Sequence, residues 1–493
     1  MDSPILESIF SNIPLSDTDQ RPVYLQVADA ILLLIREGKL KPGLQLPSSR
    51  AAAQLLRLNR VTVSKAYEEL QMQGWLERFV GRGTFISMHI PESAPKQWDN
   101  RTLNRARKTA GFSIDRSAYP DNDFFVPSVP LHLDDGFPDP KLAPIKELYR
   151  AYRAQLTRSG LYTKFGSYSN PDGSAIYKEA LSSYLNETRA LKTTGANILS
   201  VRGTLMGINL VCNALIRPGD VVVSGIPGWQ RAEHNFLHAR AKHIGIPVDE
   251  HGIVVAALEQ ICKQQKVRMV YVTPHHHYPT TVSLRIDRRL ELLRLANEHG
   301  FIIFEDDYDF DFHYRHRPLL PLASADENGM VIYCGSFSKS FSPAFRMGYL
   351  VASENVIEHL ANVRILLDRQ GDHVLDNAMA ELLNDGTIQR YLRKALGVYE
   401  DRRNYFCDAL QQELGGLVDF SIPEGGMTVW TKFDTSVDLQ KLSQQAYARG
   451  LYLSAGAMHQ YPGYHENAVR LGFASSTKEQ LAESIGILES LIR

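Results

Sequence analysis

Four short runs constrain this chain more than any other feature: Val221-Val222-Val223, Met269-Val270-Tyr271-Val272, Phe301-Ile302-Ile303-Phe304 and Met330-Val331-Ile332-Tyr333. Each is almost wholly apolar, β-branched or aromatic, without the polar alternation of a strand that is wetted on one side. Helical patterns such as Asp287 to Glu298 lie between them. Strands covered on both faces and joined by helical crossovers make a mainly parallel α/β sheet. In such sheets ligands gather beyond the carboxyl ends of the strands. Polar clusters fall at those ends: Pro227-Gly228-Trp229, Pro274 to Tyr278, Glu305-Asp306-Asp307-Tyr308 and Ser336 to Lys339.

A lysine at a strand end, partly desolvated, can lose its proton and form a Schiff base with an aldehyde. Pyridoxal 5'-phosphate is such an aldehyde, and the same clusters can meet its other demands. Its pyridine nitrogen needs a carboxylate partner to stay protonated, for which Asp306 is the candidate. Tyr308, two residues on, can bond the ring's phenolic oxygen, and Trp229 can stack on the ring face. Ser336, Ser338, Arg346 and the amides of Gly203-Thr204 ahead of a helix can supply donors to the phosphate. Singly, each has a plainer reading: Lys339 as a surface lysine, Asp306 as a loop cap. Their arrival at successive strand ends is what points to the cofactor. The run His275-His276-His277 sits in an extended segment, where neighbouring side chains alternate in direction, so no metal is expected there.

Ahead of the sheet lies a different kind of sequence. Val27, Ile31, Leu34 and Ile35 share one helical face, ended by Gly38 and Pro42-Gly43. Ser48 or Ser49 can cap a second helix through Leu56, and Asn59 a third, in which Val63, Ala66, Tyr67 and Leu70 turn inward. Trp75 to Val80 and Thr84 to Ser87 flank Gly81-Arg82-Gly83 as a two-stranded wing. Helix, turn, helix and hairpin make a winged helix-turn-helix, whose second helix enters the major groove at its N-terminal end. Asn59, Arg60, Thr62, Ser64 and Lys65 stand at that end, while Arg50 and the wing's Arg82 and Gly83 can meet phosphates. From Arg21 to Ile90 there are ten Lys and Arg against five Asp and Glu, whereas the whole chain carries −1. A basic head on an acidic body suits a polyanion partner.

The chain has no run of roughly 18 apolar residues, and its first residues, MDSPILESIFSNIPLSD, lack a basic secretory n-region. Four cysteines without metal-like spacing fit a reducing cytoplasm. Met88 to Pro130 mixes Pro, Asp, Asn, Arg and Lys without a sustained period, and its basic part RTLNRARK reads as a solvated tether.

The head resembles the DNA-binding domain of GntR-type bacterial regulators: PVYLQVADAI, GKLKPGLQLPSSR, VTVSKAYEEL, GWLE and GRGTF follow that family's order. LLRLNR stands where the family has Leu-Gly-Val-Ser-Arg, so the turn lacks its glycine and serine. The body resembles a fold-type I aminotransferase, and head plus body together resemble the MocR branch of the GntR regulators. DDGFPDPKLAP, YSNPDG, IPGWQR, VTPHHHYPT, EDDYDFDF, GSFSKSFSPAFRMGYLV and VRLGFA carry this second likeness. It implies a winged helix-turn-helix followed by a pyridoxal-phosphate-dependent, aminotransferase-like α/β body with a smaller C-terminal subdomain. It also implies Lys339 as the internal aldimine lysine, Asp306 as the ring-nitrogen partner and Tyr308 as the phenolate partner. Tyr168 matches a tyrosine that reaches a phosphate across a dimer interface, Arg470 an arginine that clamps a ligand carboxylate, and Arg231 one that contacts effector in some relatives. Two departures stand out: Pro279-Thr280-Thr281 replaces Pro-Thr-Gly, and Trp229 replaces a tyrosine.

The expected organisation is an N-terminal extension (1–20), a DNA-binding head (21–87), a linker (88–130) and an effector body (131–493). The expected function is a cytoplasmic, homodimeric transcription regulator that binds a double-stranded DNA operator and senses an amine or amino acid through the aldimine at Lys339. The alternative is an active aminotransferase carrying a DNA-binding head; residual or half transamination fits either.

Overall fold

A computed structural model describes residues 4–15, 21–90, 108–114, 127–157, 167–314 and 319–493. The chain separates into two units, Met1–Ile114 and Asp115–Arg493. Much of the expected linker, including Arg101 to Arg107, lies outside the described residues.

In the first unit, helices α1 (Pro4–Ser11), α2 (Val23–Arg36), α3 (Ser49–Leu56) and α4 (Arg60–Met72) precede strands β1 (Leu76–Phe79) and β2 (Gly83–Ile86). Ser48 caps α3 by accepting from the Ala51 amide at 3.2 Å, and Asn59 caps α4 by accepting from the Val61 amide at 2.8 Å. Each satisfies a first-turn N–H that the helix itself leaves unpaired. Asn59 thus takes the capping role of the family's serine. The family's glycine position is held by Arg57, at φ +55° and ψ +40°, a left-handed helix end that ordinarily favours glycine. β1 and β2 pair antiparallel from Leu76 opposite Ile86 to Phe79 opposite Gly83, within a residue at each end of the expected Trp75 to Val80 and Thr84 to Ser87. Gly81 and Gly83, at φ +78° and +110°, supply the turn.

Val27, Ile31, Val63, Ala66, Tyr67, Leu70 and Trp75 form the core of this unit. Phe10 and Ile13 join the same core, and α1 packs on α3. The segment read from sequence as an extension therefore contributes to the head's interior. Phe10 is fully buried, which stabilises by about 1.5–3 kcal/mol.

In the second unit an eight-stranded sheet has the order β4-β11-β10-β9-β8-β5-β6-β7. Its strands are β4 (Ile198–Val201), β5 (Val221–Ile226), β6 (Lys242–Asp249), β7 (Gly252–Ile253), β8 (Val267–Val272), β9 (Ile302–Asp307), β10 (Val331–Ser336) and β11 (Gly348–Val351). β6, β5, β8, β9 and β10 run parallel, while β11 is antiparallel to both its neighbours and β7 to β6. Met269 and Tyr271 of β8 enter one apolar cluster with Val222, Phe304, Ile332 and Leu350. Val270 and Val272 enter another with Val223, Ile303 and Val331. Period-two alternation thus feeds two cores, which is why these strands read as unbroken apolar runs. The helices Thr204–Leu215, Gln230–His238 and Glu354–Leu367 cover the first face; Val255–Gln264 and Ile286–His299 cover the second.

β9 runs three residues beyond its apolar stretch, through Glu305, Asp306 and Asp307, all buried. The carboxylates continue the strand because each finds a partner. Glu305 accepts from the Leu322 and Ala323 amides at 2.8 and 2.9 Å, Asp306 from the Tyr271 hydroxyl at 2.7 Å and Asp307 from the Tyr333 hydroxyl at 2.5 Å.

A smaller antiparallel sheet of β12 (Val418–Phe420), β13 (Thr428–Phe433) and β15 (Ala468–Gly472) forms the C-terminal part. β14 (Leu451–Leu453) pairs in parallel with β3 (Leu131–Leu133), so the start of the unit is built into its end. A Cβ on Gly472 would meet the Asp134 carbonyl oxygen at 2.5 Å, and this close approach brings the loop after β3 against β15. Among the described residues no helix is long and apolar enough to cross a membrane.

Candidate functional site

Lys339 lies in the one-turn helix Phe337–Ser340, directly after β10. Its Nζ donates to the main-chain oxygens of Asp135 and Gly136 at 3.1 and 2.6 Å and stands 4.7 Å from the centre of the Phe137 ring. Burial lowers the pKa of this amine, with the Arg470 charge acting the same way and the Asp135 charge opposing. Burial thus moves the amine toward its neutral, nucleophilic form.

One strand over, Asp306 is buried and offers a half-used carboxylate. Tyr271 occupies Oδ2, and among the described residues Oδ1 makes no hydrogen bond, with the Thr204 side chain close enough to lower the carboxyl's pKa. Burial pushes this carboxyl up to about 7. Tyr308 follows, its hydroxyl donating to the His276 carbonyl at 2.9 Å; burial raises its pKa well above the ordinary phenol.

A third group gathers at the start of the helix Thr204–Leu215. Arg346 donates to the Arg202 carbonyl at 3.0 Å and to Ser338 Oγ at 3.3 Å. A Cβ on Gly203 would meet Arg346 Nη2 at 2.6 Å, so only glycine lets the guanidinium come this close to the helix end. Ser336 Oγ accepts from the Ser338 amide at 3.1 Å. Gly203, Thr204, Ser336, Ser338 and Arg346 thus form one donor-rich corner. Trp229, at the start of Gln230–His238, lies 6.4 Å from Tyr278 between ring centres.

Arg470 on β15 is buried. Its Nε donates to Asp135 Oδ1 at 2.5 Å and Nη1 to the Pro279 carbonyl at 2.9 Å, while its Cζ lies 4.6 Å from the centre of the Tyr278 ring. The Tyr278 hydroxyl donates to the other Asp135 oxygen at 3.2 Å. Arg231 and Tyr168 make none of these contacts. Arg231 is exposed, and its guanidinium makes no hydrogen bond or ion pair among the described residues. Tyr168 is 74 % exposed, its ring 5.2 Å beneath the Arg369 guanidinium.

The three histidines take three different partners. His275 Nε2 meets the Leu319 carbonyl at 2.5 Å, His276 Nδ1 meets Asp309 at 2.8 Å and His277 Nε2 meets the Pro227 carbonyl at 2.8 Å. Burial lowers the pKa of His277 to about 4.

Sequence reasoning did not single out Tyr271 or Asp135. Tyr271 was one more aromatic in an apolar run, and its partner lies 35 positions on. Asp135 stands within DDGFPDP, but its contact with Arg470 spans 335 positions.

In the first unit, Arg50, Arg60, Lys65 and Arg82 are exposed, and Thr62 and Ser64 half-buried, around the start of α4 and the wing. Asn59 is exposed but engaged as the cap, and Gln45 donates to the Arg82 carbonyl at 2.7 Å, fastening the wing turn.

The family "Bacterial regulatory proteins, gntR family" matches residues 23–86, and "Aminotransferase class I and II" matches residues 140–488. The uncharacterized HTH-type transcriptional regulator YdfD of Bacillus subtilis is 27 % identical over 477 residues, covering 96 % of each chain. The probable rhizopine catabolism regulatory protein MocR of Rhizobium meliloti is 26 % identical, covering 95 % of this chain and 93 % of its own. The kynurenine aminotransferase of Pyrococcus horikoshii, solved in complex with PMP, superposes with a TM-score of 0.65 at 26 % identity, over 73 % of this chain and 90 % of its own. The chain therefore belongs to the class I and II aminotransferase family and, with a GntR module ahead of that domain, to the MocR-type branch of the GntR regulators.

Proposed function

We propose that the protein is a DNA-binding transcription regulator whose body holds pyridoxal 5'-phosphate and senses a primary amine or amino acid there. The observation that carries this reading is the Asp306 carboxylate, buried and, among the described residues, hydrogen-bonded on Oδ2 but not on Oδ1, on the strand beside the one that leads into Lys339. A buried carboxylate with an empty acceptor is costly by itself and fits a protonated ring nitrogen. Regulators similar over both parts of the chain support the same conclusion.

When bound, the cofactor supplies an aldehyde that condenses reversibly with primary amines and a ring that withdraws electrons. Lys339 offers the amine, which burial biases toward its neutral form. Asp306 Oδ1 would hold the proton on the ring nitrogen, and Tyr308 would meet the phenolic oxygen by turning its hydroxyl from the His276 carbonyl. Trp229 would cover a ring face. Gly203, Thr204, Ser336, Ser338 and Arg346 would hold the phosphate, and Tyr168 would reach it from a second copy in a homodimer. Arg231 and Arg470 would meet the effector. In the head, Arg60, Thr62, Ser64 and Lys65 read the major groove, Asn59 fixes the helix that carries them, and Arg50, Arg82 and the Gly83 amide contact phosphates.

The test is DNA affinity, on a duplex selected from a random-sequence pool, measured with and without a panel of primary amines. The native protein should change affinity with at least one amine. Lys339→Ala should bind the duplex equally well and respond to none; a full response in that variant would refute the reading.

A further inference from the structure

We propose that Asp135 sets the class of effector: it turns an α-carboxylate away from Arg470 and favours a primary amine that lacks one and ends in a cationic group, as a diamine does. The proposal rests on the cofactor reading above and narrows it.

Arg470 is already answered. Its Nε is bound to Asp135 Oδ1 at 2.5 Å and its Nη1 to the Pro279 carbonyl, with the Tyr278 ring against the guanidinium. The second Asp135 oxygen accepts from the Tyr278 hydroxyl. Arg470 and Tyr278 thus hold both oxygens of one carboxylate, the arrangement that a two-pronged clamp would offer to a ligand. A ligand carboxylate brought to the same guanidinium would stand beside Asp135, and two anions within a few ångströms repel.

Accessibility points the same way. The Asp135 side chain is 42 % exposed, whereas that of Arg470 is 5 % exposed. An incoming molecule meets the anion, not the cation. Lys339 Nζ is bound to the main-chain oxygens of Asp135 and Gly136, so the carboxylate belongs to the residue that lies beside the reactive amine. The second amino group of a diamine would find in Asp135 a counter-ion with one face in solvent. A free α-carboxylate would have to displace Asp135 from both Arg470 and Tyr278.

Matched pairs of ligands isolate this one group. Cofactor-loaded, full-length protein is titrated with putrescine against L-ornithine and with cadaverine against L-lysine, each pair differing by the α-carboxylate. Visible absorbance and the thermal unfolding midpoint are followed together. The native protein should bind each diamine about tenfold or more tightly than its amino acid. Asp135→Asn should bring the two within about threefold or reverse their order. Tighter binding of the amino acids by the native protein overturns the proposal, as does an unchanged ratio in a folded Asp135→Asn. Should that variant not fold, the native preference and that of Asp135→Ser decide the matter by the same ratios. A protein with no visible band before any amine is added marks failure of the cofactor reading instead, and the thermal midpoints with diamine and amino acid still decide the role of Asp135.

Discussion

The Tyr271 hydroxyl donates to Asp306 Oδ2 at 2.7 Å between neighbouring parallel strands, while Oδ1 of the same carboxylate is buried and makes no hydrogen bond among the described residues, with the Thr204 side chain close by. Burial, reinforced by the Asp307 and Asp309 charges and opposed by Tyr271 and Thr204, pushes this carboxyl up to about 7. In the unfolded chain it titrates near 4. The folded, cofactor-free protein therefore keeps this proton to higher pH than the unfolded chain does. Its contribution to stability is favourable at low pH, falls as pH rises from about 4 to about 7, and stays lost above that.

Asp306→Asn cannot ionise and escapes that loss. In urea unfolding of cofactor-free protein, it should be more stable than the parent at pH 8 by on the order of 2–4 kcal/mol. At pH 4 the two should lie close together. A difference that is the same at both pH values would mean that Asp306 titrates normally.

Thr281 sits at φ +63°, where the family has glycine, and its turn is closed by bonds of 2.7 Å from the Thr281 amide to the His277 carbonyl and from the His277 amide to the Val282 carbonyl. A β-branched residue in the left-handed region is strained by roughly 1–2 kcal/mol. Thr281→Gly should raise the thermal midpoint, with a gain of about 1 kcal/mol after the extra entropy of unfolded glycine is counted. A lowered midpoint would show that the threonine side chain contributes more than its backbone costs.

The start of α4 separates stability from recognition. Asn59→Ala removes the cap and should cost the head about 1 kcal/mol. Arg60→Ala leaves the cap in place and should weaken DNA binding by about 1–3 kcal/mol with an unchanged melting curve. Neither should alter the visible spectrum of the cofactor-loaded protein. Unchanged DNA affinity in Arg60→Ala would remove that side chain from the interface.

The core strands were legible because a strand buried on both faces must be apolar throughout, and the runs around Val222, Val270, Ile303 and Ile332 are. Asn59, Gly81 and Gly83 were legible because caps and tight turns are decided within a few residues. Three features were not. β9 continues through Glu305, Asp306 and Asp307 because amides and hydroxyls from other segments meet those carboxylates, which no local pattern reveals. Phe10 enters the head's core from an eight-residue helix; Leu6, Ile9, Phe10 and Ile13 stand at helical spacing, but a run this short does not reveal what it packs against. Asp135 meets Arg470 because β3 pairs with β14 and its following loop lies against β15, a consequence of topology. The motifs located the chemistry, whereas long-range pairing decides which charges face one another.

The most direct test is the visible spectrum of the purified full-length protein after incubation with pyridoxal 5'-phosphate and removal of the excess. The native protein should retain a band at roughly 400–430 nm, and Lys339→Ala, folded to the same extent, should lack it. A native protein that stays colourless, or a Lys339→Ala variant that keeps the same band, would contradict the account.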